Sequence, residues 1–479
     1  MRILFYNWTP FDNESIGGGV TVYIKNLIES LNRNYLDVEI YFLSSGRDYD
    51  EHNRTVRIEE VKNNGNYKCH SFTLINSPVF APAYLNIFNI KSVFECRELK
   101  EIFDDFLTEY GSFDAVHFQN LEGLSFDVLD CKEKHKNTKF IYSLHNYYPF
   151  CPIATFWKST DECCECRDTG KTCIGCIGLK APNEKLFRKL SMRRELETDF
   201  SEQKKELFSK ISSELDRKYL PEESKALSFE QQRDFESLFS SYRKDFVSKI
   251  NRYVDTVIAV SRRVGEIALC CGVDREKLIV QYIGTRHAEH QLAHCMNVPK
   301  KDEPFTIIFM GYQRKDKGFF FFIDVLNALE ERISKKVKVI LAARGSQATE
   351  AQWNLNKDKF ASVIYQNGYT RDEISLLLSK AHLGLVPVLW EDNLPQVAIE
   401  MACNGVPVLC SDRGGAKELS SNHFFAFEAG NVKQCVEKIT MLVEKPELLT
   451  RYFNSYQNLP TMLSHTTDLL KIYGYEKSE

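Results

Sequence analysis

Short apolar or β-branched runs alternate with longer stretches of helical periodicity along almost the whole chain. This alternation is the feature that most narrows the folds open to it. A strand buried on both faces reads as a continuous apolar run, and an amphipathic helix after it covers one of those faces. The pattern predicts parallel α/β layers. In the first half it places strands near Ile3 to Tyr6, Val38 to Phe42, Ala115 to Phe118, Phe140 to Leu144 and Val257 to Val260. In the second half they fall near Thr306 to Met310, Val337 to Ala342, Ser362 to Tyr365, Leu383 to Val386 and Val406 to Leu409. Between the halves, Arg286 to Pro304 has weak periodicity and reads as a linker. At 479 residues the chain exceeds one ordinary core. The expected organisation is a domain over 1–290, a linker over 291–304, a second domain over 305–455 and a C-terminal helix over 456–479 that suits either domain.

One stretch breaks the alternation. From Asn183 to Ile250 the sequence is charged and lacks a clear strand. Leu207, Ile211 and Leu215 recur at helical spacing, as do Phe235, Phe239, Tyr242, Phe246 and Ile250, with Pro221 between the two series. The pattern predicts a helical hairpin inserted over about 183–250 in the first domain. Its front part, Leu186 through Arg194, is basic and amphipathic, which suits an anionic surface or acceptor as well as a solvated face.

Composition excludes several classes. A hydrophobic fraction of 43% with 27% charged residues is that of a globular protein, and a net charge of -4 gives no footprint for nucleic acid. No run approaches the eighteen or so apolar residues of a membrane span. The opening Met1-Arg2-Ile3-Leu4-Phe5-Tyr6 is too short for a signal peptide and reads as a buried strand. Fifteen cysteines without an export signal point to a reducing, cytoplasmic setting.

The chemistry-bearing residues sit at strand ends. Gly17-Gly18-Gly19 follows the first strand and precedes a helical pattern from Val20 to Leu31, so it lets backbone amides approach an anion. It is not the dinucleotide fingerprint. In the second half, Gly311-Tyr312-Gln313-Arg314-Lys315-Asp316-Lys317-Gly318 concentrates basic side chains after a strand, where a diphosphate leaving group would be stabilised. Then comes Trp390-Glu391-Asp392-Asn393-Leu394-Pro395-Gln396-Val397-Ala398-Ile399-Glu400, with Pro395 suited to a helix start. Asp392 precedes that helix and Glu400 lies within it. The run continues as Gly405-Val406-Pro407-Val408 and Gly414-Gly415-Ala416-Lys417-Glu418.

These elements, in this order, resemble the retaining glycosyltransferases of GT-B fold known as family 4 or group 1. That family carries a G-R-x-x-x-x-K-G loop, an E-x7-E element and a G-V-P-V strand with a following Gly-Gly-x-x-Glu turn. Two departures stand out: Tyr312 replaces the family's arginine, with Arg314 two residues on, and Asp392 replaces the first glutamate, with Glu391 beside it. In the first half, Gly18-Gly19-Val20, Asp114-Ala115-Val116-His117 and the strand end His145-Asn146-Tyr147 also match, with Asn146 in place of an aspartate.

The resemblance implies two Rossmann-like, doubly wound domains facing a cleft, and transfer of a sugar from a nucleotide-diphosphate donor, UDP or GDP, to a glycan or lipid-linked acceptor. It implies catalysis without a metal and with retained anomeric configuration, as in bacterial surface polysaccharide synthesis. His145, Lys317 and Asp392 are the implied catalytic groups, and Gly18, Gly19, Arg314, Lys317, Asn393, Leu394 and Glu400 the implied donor contacts. Such an enzyme would work in the cytoplasm, at most peripheral to the inner face of the cell membrane. A nucleotide-sugar epimerase and a non-catalytic scaffold are the alternatives.

One cluster lies outside that resemblance. Cys163-x2-Cys166 and Cys173-x2-Cys176, in a loop of about 151–180, have the paired-thiolate spacing of a structural zinc site, with Cys151 and Cys164 as further candidates. An iron–sulfur cluster and a redox-active thiol pair remain open by ligand type. Cys403 and Cys410 read as buried small hydrophobes.

Overall fold

The computed structural model describes residues 1–12, 18–63, 65, 67–86, 90–158, 160–164, 173, 176, 183–199, 229–345 and 353–476. Two sheets organise them. The first has the order β3-β4-β2-β1-β5-β6-β7-β8. Its strands are β1 (Arg2–Tyr6), β2 (Glu39–Asp48), β3 (Arg57–Val61), β4 (His70–Ile75), β5 (Ala115–Phe118), β6 (Lys139–Leu144), β7 (Thr256–Ala259) and β8 (Leu278–Val280). All pairings are parallel except β3 with β4. The second sheet is parallel throughout, in the order β11-β10-β9-β12-β13-β14. It is built from β9 (Phe305–Tyr312), β10 (Val337–Arg344), β11 (Ser362–Gln366), β12 (Leu383–Val386), β13 (Val408–Ser411) and β14 (Ala426–Phe427). Strand order reverses between β1 and β5 in one sheet and between β9 and β12 in the other. Each reversal opens a crevice at the carboxyl ends of the strands, the place where such sheets take ligands.

The longer helices are α1 (Gly18–Asn34), α2 (Arg97–Glu109), α3 (Asn183–Asp199), α4 (Phe229–Tyr253), α5 (Arg262–Cys270), α6 (Phe319–Ala328), α7 (Gln396–Cys403), α8 (Val432–Glu444) and α9 (Met462–Tyr473). None among the described residues is long and apolar enough to cross a membrane. The ten expected strands are all present, each within a few residues. The central ones, β1, β5, β9 and β12, are buried along nearly their whole length, which is why each shows as an unbroken apolar run.

The expected insertion is seen at its two ends as α3 and α4. Leu207, Ile211, Leu215 and Pro221 lie outside the described residues. Phe239, Tyr242, Phe246 and Ile250 form the buried stripe of α4, and Phe246 stacks on Phe126 at 3.6 Å between ring centroids. The arginines of α3 bond to the neighbouring β2–β3 region, Arg193 and Arg194 half-buried and Arg188 exposed. Arg188 pairs with Glu51 at 3.2 Å, Arg194 with Glu59 at 2.8 Å, and Arg193 donates to the Arg47 carbonyl at 2.6 Å. The acidic residues of the β2–β3 region thus draw in charge that the sequence alone suggested was offered outward.

Residues 291–304 hold no helix or strand, and their backbone bonds to the second half, Leu292 N–H to Cys403 O and Met296 N–H to Gly405 O, both at 2.8 Å. After α8 the chain crosses back, and α9 packs against α1. Hydrogen bonds from Tyr473 to His117 and between Tyr23 and His465, the latter at 2.7 Å, fix that destination. Cys403 and Cys410 are buried, as their apolar settings predict.

Candidate active site

The carboxyl ends of the two sheets face each other, and hydrogen bonds across the gap define the site. Asn393, in the loop from β12 to α7, donates from Nδ2 to the carbonyl of Leu144, the last residue of β6, at 3.0 Å. Its own carbonyl accepts from Ser261 Oγ at 2.8 Å. Gln396, the first residue of α7, donates from Nε2 to Gly19 O at 3.1 Å. The N-termini of α1 and α7, one from each half of the chain, therefore meet. A helix N-terminus carries partial positive charge and N–H groups without intrahelical partners, a setting for an anion. Gly18 has φ +61°, with open space where a Cβ would stand, so backbone is presented bare to the crevice. Pro395 stands at the N-cap of α7, a position that needs no N–H.

Lys317 and Asp392 come together at this point. Their ion pair measures 2.7 Å, and Lys317 Nζ lies 4.6 Å over the Trp390 ring. The loop holding Asp392 is clamped: Gly414, with φ +68°, passes so close that a Cβ would fall 1.9 Å from Asp392 O. Arg314 is turned aside. It forms a two-pronged pair at 2.8 and 2.6 Å with the buried Asp316, its own side chain remaining largely exposed. Its charge is matched within its own loop rather than aimed at the crevice.

Glu391, a competitor of Asp392 by sequence, has a different task. It accepts from Arg263 of α5 at 3.1 and 2.7 Å, from Arg413 at 3.2 Å and from Gly414 N–H at 3.0 Å. Burial alone would raise its pKa, but the Arg263 guanidinium and the other donors hold it below the usual carboxylate range. Glu418 makes a second bridge, accepting from the backbone N–H groups of Arg262 and Arg263 at 2.9 and 2.8 Å. It caps a helix that belongs to the other half of the chain.

Glu400 projects from the body of α7. Its Oε2 is buried with no hydrogen-bond partner among the described residues, and burial pushes its carboxyl up to about 7, opposed by Arg371. His287 is 3.9 Å from the other oxygen. Leu394 is buried in the core beside the site. His145 directly follows β6, with Nε2 2.7 Å from Gln119 Oε1 and Tyr23 against its ring at 5.0 Å. Burial, with His465 nearby, lowers its pKa to about 3, so the imidazole is neutral.

The cysteine loop reaches this region too. Asp161 pairs with Lys315, and Cys163 lies against Glu391 and Arg413, its pKa raised by burial to about 11. Cys166 lies outside the described residues. Cys173 is near Cys151. Among the described residues no three His, Cys, Asp or Glu groups gather to hold a metal.

Sequence reasoning missed Gln119, Glu122, Arg263 and Arg413. None belongs to a spaced motif; each earns notice only through the partner it meets across the fold.

With this geometry in place, residues 296–457 match the family model for glycosyl transferases group 1. This domain belongs to that family. The chain is a glycosyltransferase of GT-B fold. No curated protein matches the sequence. Among solved structures it is similar to Anabaena HepE in complex with UDP, at 13% identity over 99% of this chain and 100% of that one, with a TM-score of 0.56. Trehalose-6-phosphate synthase OtsA aligns at 12% identity over 99% of each chain, TM-score 0.59. Sucrose-phosphate synthase of Thermosynechococcus elongatus aligns at 12% identity over 99% and 98%, TM-score 0.55. At such identities the likeness concerns the fold.

Proposed function

We propose that this glycosyltransferase moves a sugar from a nucleotide-diphosphate donor, UDP or GDP, to a glycan or lipid-linked acceptor with retention of anomeric configuration. The observation that carries the reading is the meeting of two helix N-termini, α1 and α7, with Lys317 paired to Asp392 in the loop that leads into α7. A diphosphate placed there gains amide dipoles from both halves and a cation as its charge grows. Glu400, with an unpartnered buried oxygen, accepts ribose hydroxyls. Asp392 exchanges Lys317 for donor-sugar hydroxyls when phosphate takes the ammonium. In the transfer step the C1–O bond to the diphosphate breaks and a bond from C1 to the acceptor oxygen forms. Attack on the same face puts the leaving phosphate oxygen closest to the acceptor proton, which it takes.

The HepE structure with UDP supports a uridine donor by analogy of fold. For the cysteine loop, the paired spacing supports a structural zinc ion, for which metal analysis of the purified protein should return one equivalent per chain.

The donor site is tested by thermal shift with UDP, GDP, ADP, TDP and CMP on wild type and Lys317→Ala. A nucleotide at a hundred times its Kd stabilises by about 2.7 kcal/mol. One base should stabilise wild type and leave the variant much less affected. Equal stabilisation of both proteins, or none of either, would remove Lys317 from the site.

A further inference from the structure

The surroundings of His145 are more specific than burial requires. Gln119 follows β5 and is fully buried, its backbone N–H fixed to Tyr6 O of β1 at 2.9 Å. Its Oε1 faces His145 Nε2 at 2.7 Å. In this placement the amide turns its oxygen to the ring and leaves its own Nε2 buried without a partner among the described residues; with the amide so oriented, the ring nitrogen opposite carries the proton and the lone pair falls on Nδ1. That nitrogen makes no hydrogen bond among the described residues.

The other ionisable groups around the ring come from three elements. Tyr23 stands on α1, His117 on β5 and His465 on α9. None brings a negative charge. His117 is itself held between Ser143 Oγ, at 2.7 Å, and Tyr473. Glu122, the buried carboxyl nearest in sequence, is turned to Asn146 Nδ2 and the Ala83 N–H at 2.7 and 2.6 Å. A glutamine at 119 therefore does what a carboxylate there would not: it orients the imidazole without stabilising its cation.

We propose that Gln119 is a positioning residue that holds His145 as the neutral tautomer protonated on Nε2, so that Nδ1 accepts a hydrogen bond from a sugar hydroxyl. The proposal rests on the reading of His145 as a group facing the reacting sugar. Its chemical sense lies in the charge of the reaction. Departure of the diphosphate builds positive charge on the sugar ring, and an imidazolium beside it would oppose that charge, whereas a lone pair does not.

Two variants and one spectroscopic measurement test it. Gln119→Leu keeps the volume and removes the acceptor; kcat should fall at least tenfold while the donor KM changes less than twofold. Gln119→Glu stabilises the imidazolium, so an acid limb absent from wild type should appear in kcat below about pH 6 and activity should recover at pH 8. In protein labelled with 15N-histidine, with His145 assigned by difference from His145→Gln, the directly bonded proton should sit on Nε2 in wild type. Gln119→Leu should show a mixture of tautomers. A wild-type His145 protonated on Nδ1 would overturn the proposal, as would wild-type kcat and pH profile in both variants. If wild type turns over no nucleotide sugar, the functional reading fails separately, and the tautomer measurement still decides the role of Gln119.

Discussion

Glu400 shows how much one buried atom can say. A carboxyl pushed up to about 7 by burial, with one oxygen unpartnered, is a cost that a ligand diol can relieve. Its folded pKa lies above its unfolded value, so stability is full below about pH 4.5 and declines as pH rises towards 7. Glu400→Gln should remove roughly 2 to 3 kcal/mol of the difference between pH 5 and pH 8, read by chemical denaturation at both pH values. The same variant should lose most of the stabilisation by nucleotide. Which carboxylate does what was only partly legible in the sequence. Asp392 and Glu400 stood out by spacing, yet adjacent Glu391 was indistinguishable until the structure turned it towards Arg263. Arg314 looked like the substitute for the missing family arginine, and its own neighbour Asp316 engages it instead. Gln119 had no motif at all, because its meaning lies in a contact between two parallel strand ends.

At the scale of elements, the central buried strands announced themselves; several towards the sheet edges did not, including β4, which is buried but lies between β2 and the edge strand β3. β3 reads Arg-Ile-Glu-Glu-Val at an antiparallel edge, and β8 and β14 run only three and two residues, too few to show a period. The apolar face of α9 suited either domain; what decides is polar, the pairing of His465 with Tyr23 and of Tyr473 with His117. This makes the docking of α9 sensitive to acid. Burial lowers His465 to about 4, so its contribution is intact above the ordinary histidine pKa and is lost as pH falls below about 6.5. A shift of that size costs about 2 kcal/mol of stability at pH 5. His465→Gln should lose less stability than wild type between pH 7.5 and pH 5, by about that amount. Glu122 and Glu400 act in the opposite sense, so the comparison between the two proteins is the informative quantity.

For the whole molecule, two similar layered halves were readable from the order of the motifs, but the way they lock was not. Glu391 and Glu418 each reach from the second half to α5 in the first, and Asn393 ties the two strand ends together. Glu391→Ala leaves Arg263 and Arg413 without their shared partner. It should lower stability by about 1 to 3 kcal/mol and, by small-angle scattering, give a larger radius of gyration than wild type. Activity should fall with it, since the crevice is assembled from both sides.

The central claim is that this assembled crevice breaks the bond between a sugar and a nucleoside diphosphate with Lys317 stabilising the departing charge. The most direct measurement is 1H and 31P NMR of nucleotide-sugar donors with wild type and with Lys317→Ala. One donor should release its nucleoside diphosphate with wild type, and release should be slower by a factor on the order of 10² to 10³ in the variant. The first sugar product should keep the donor's anomeric configuration. Release at the same rate by both proteins, or an inverted product, would contradict the account.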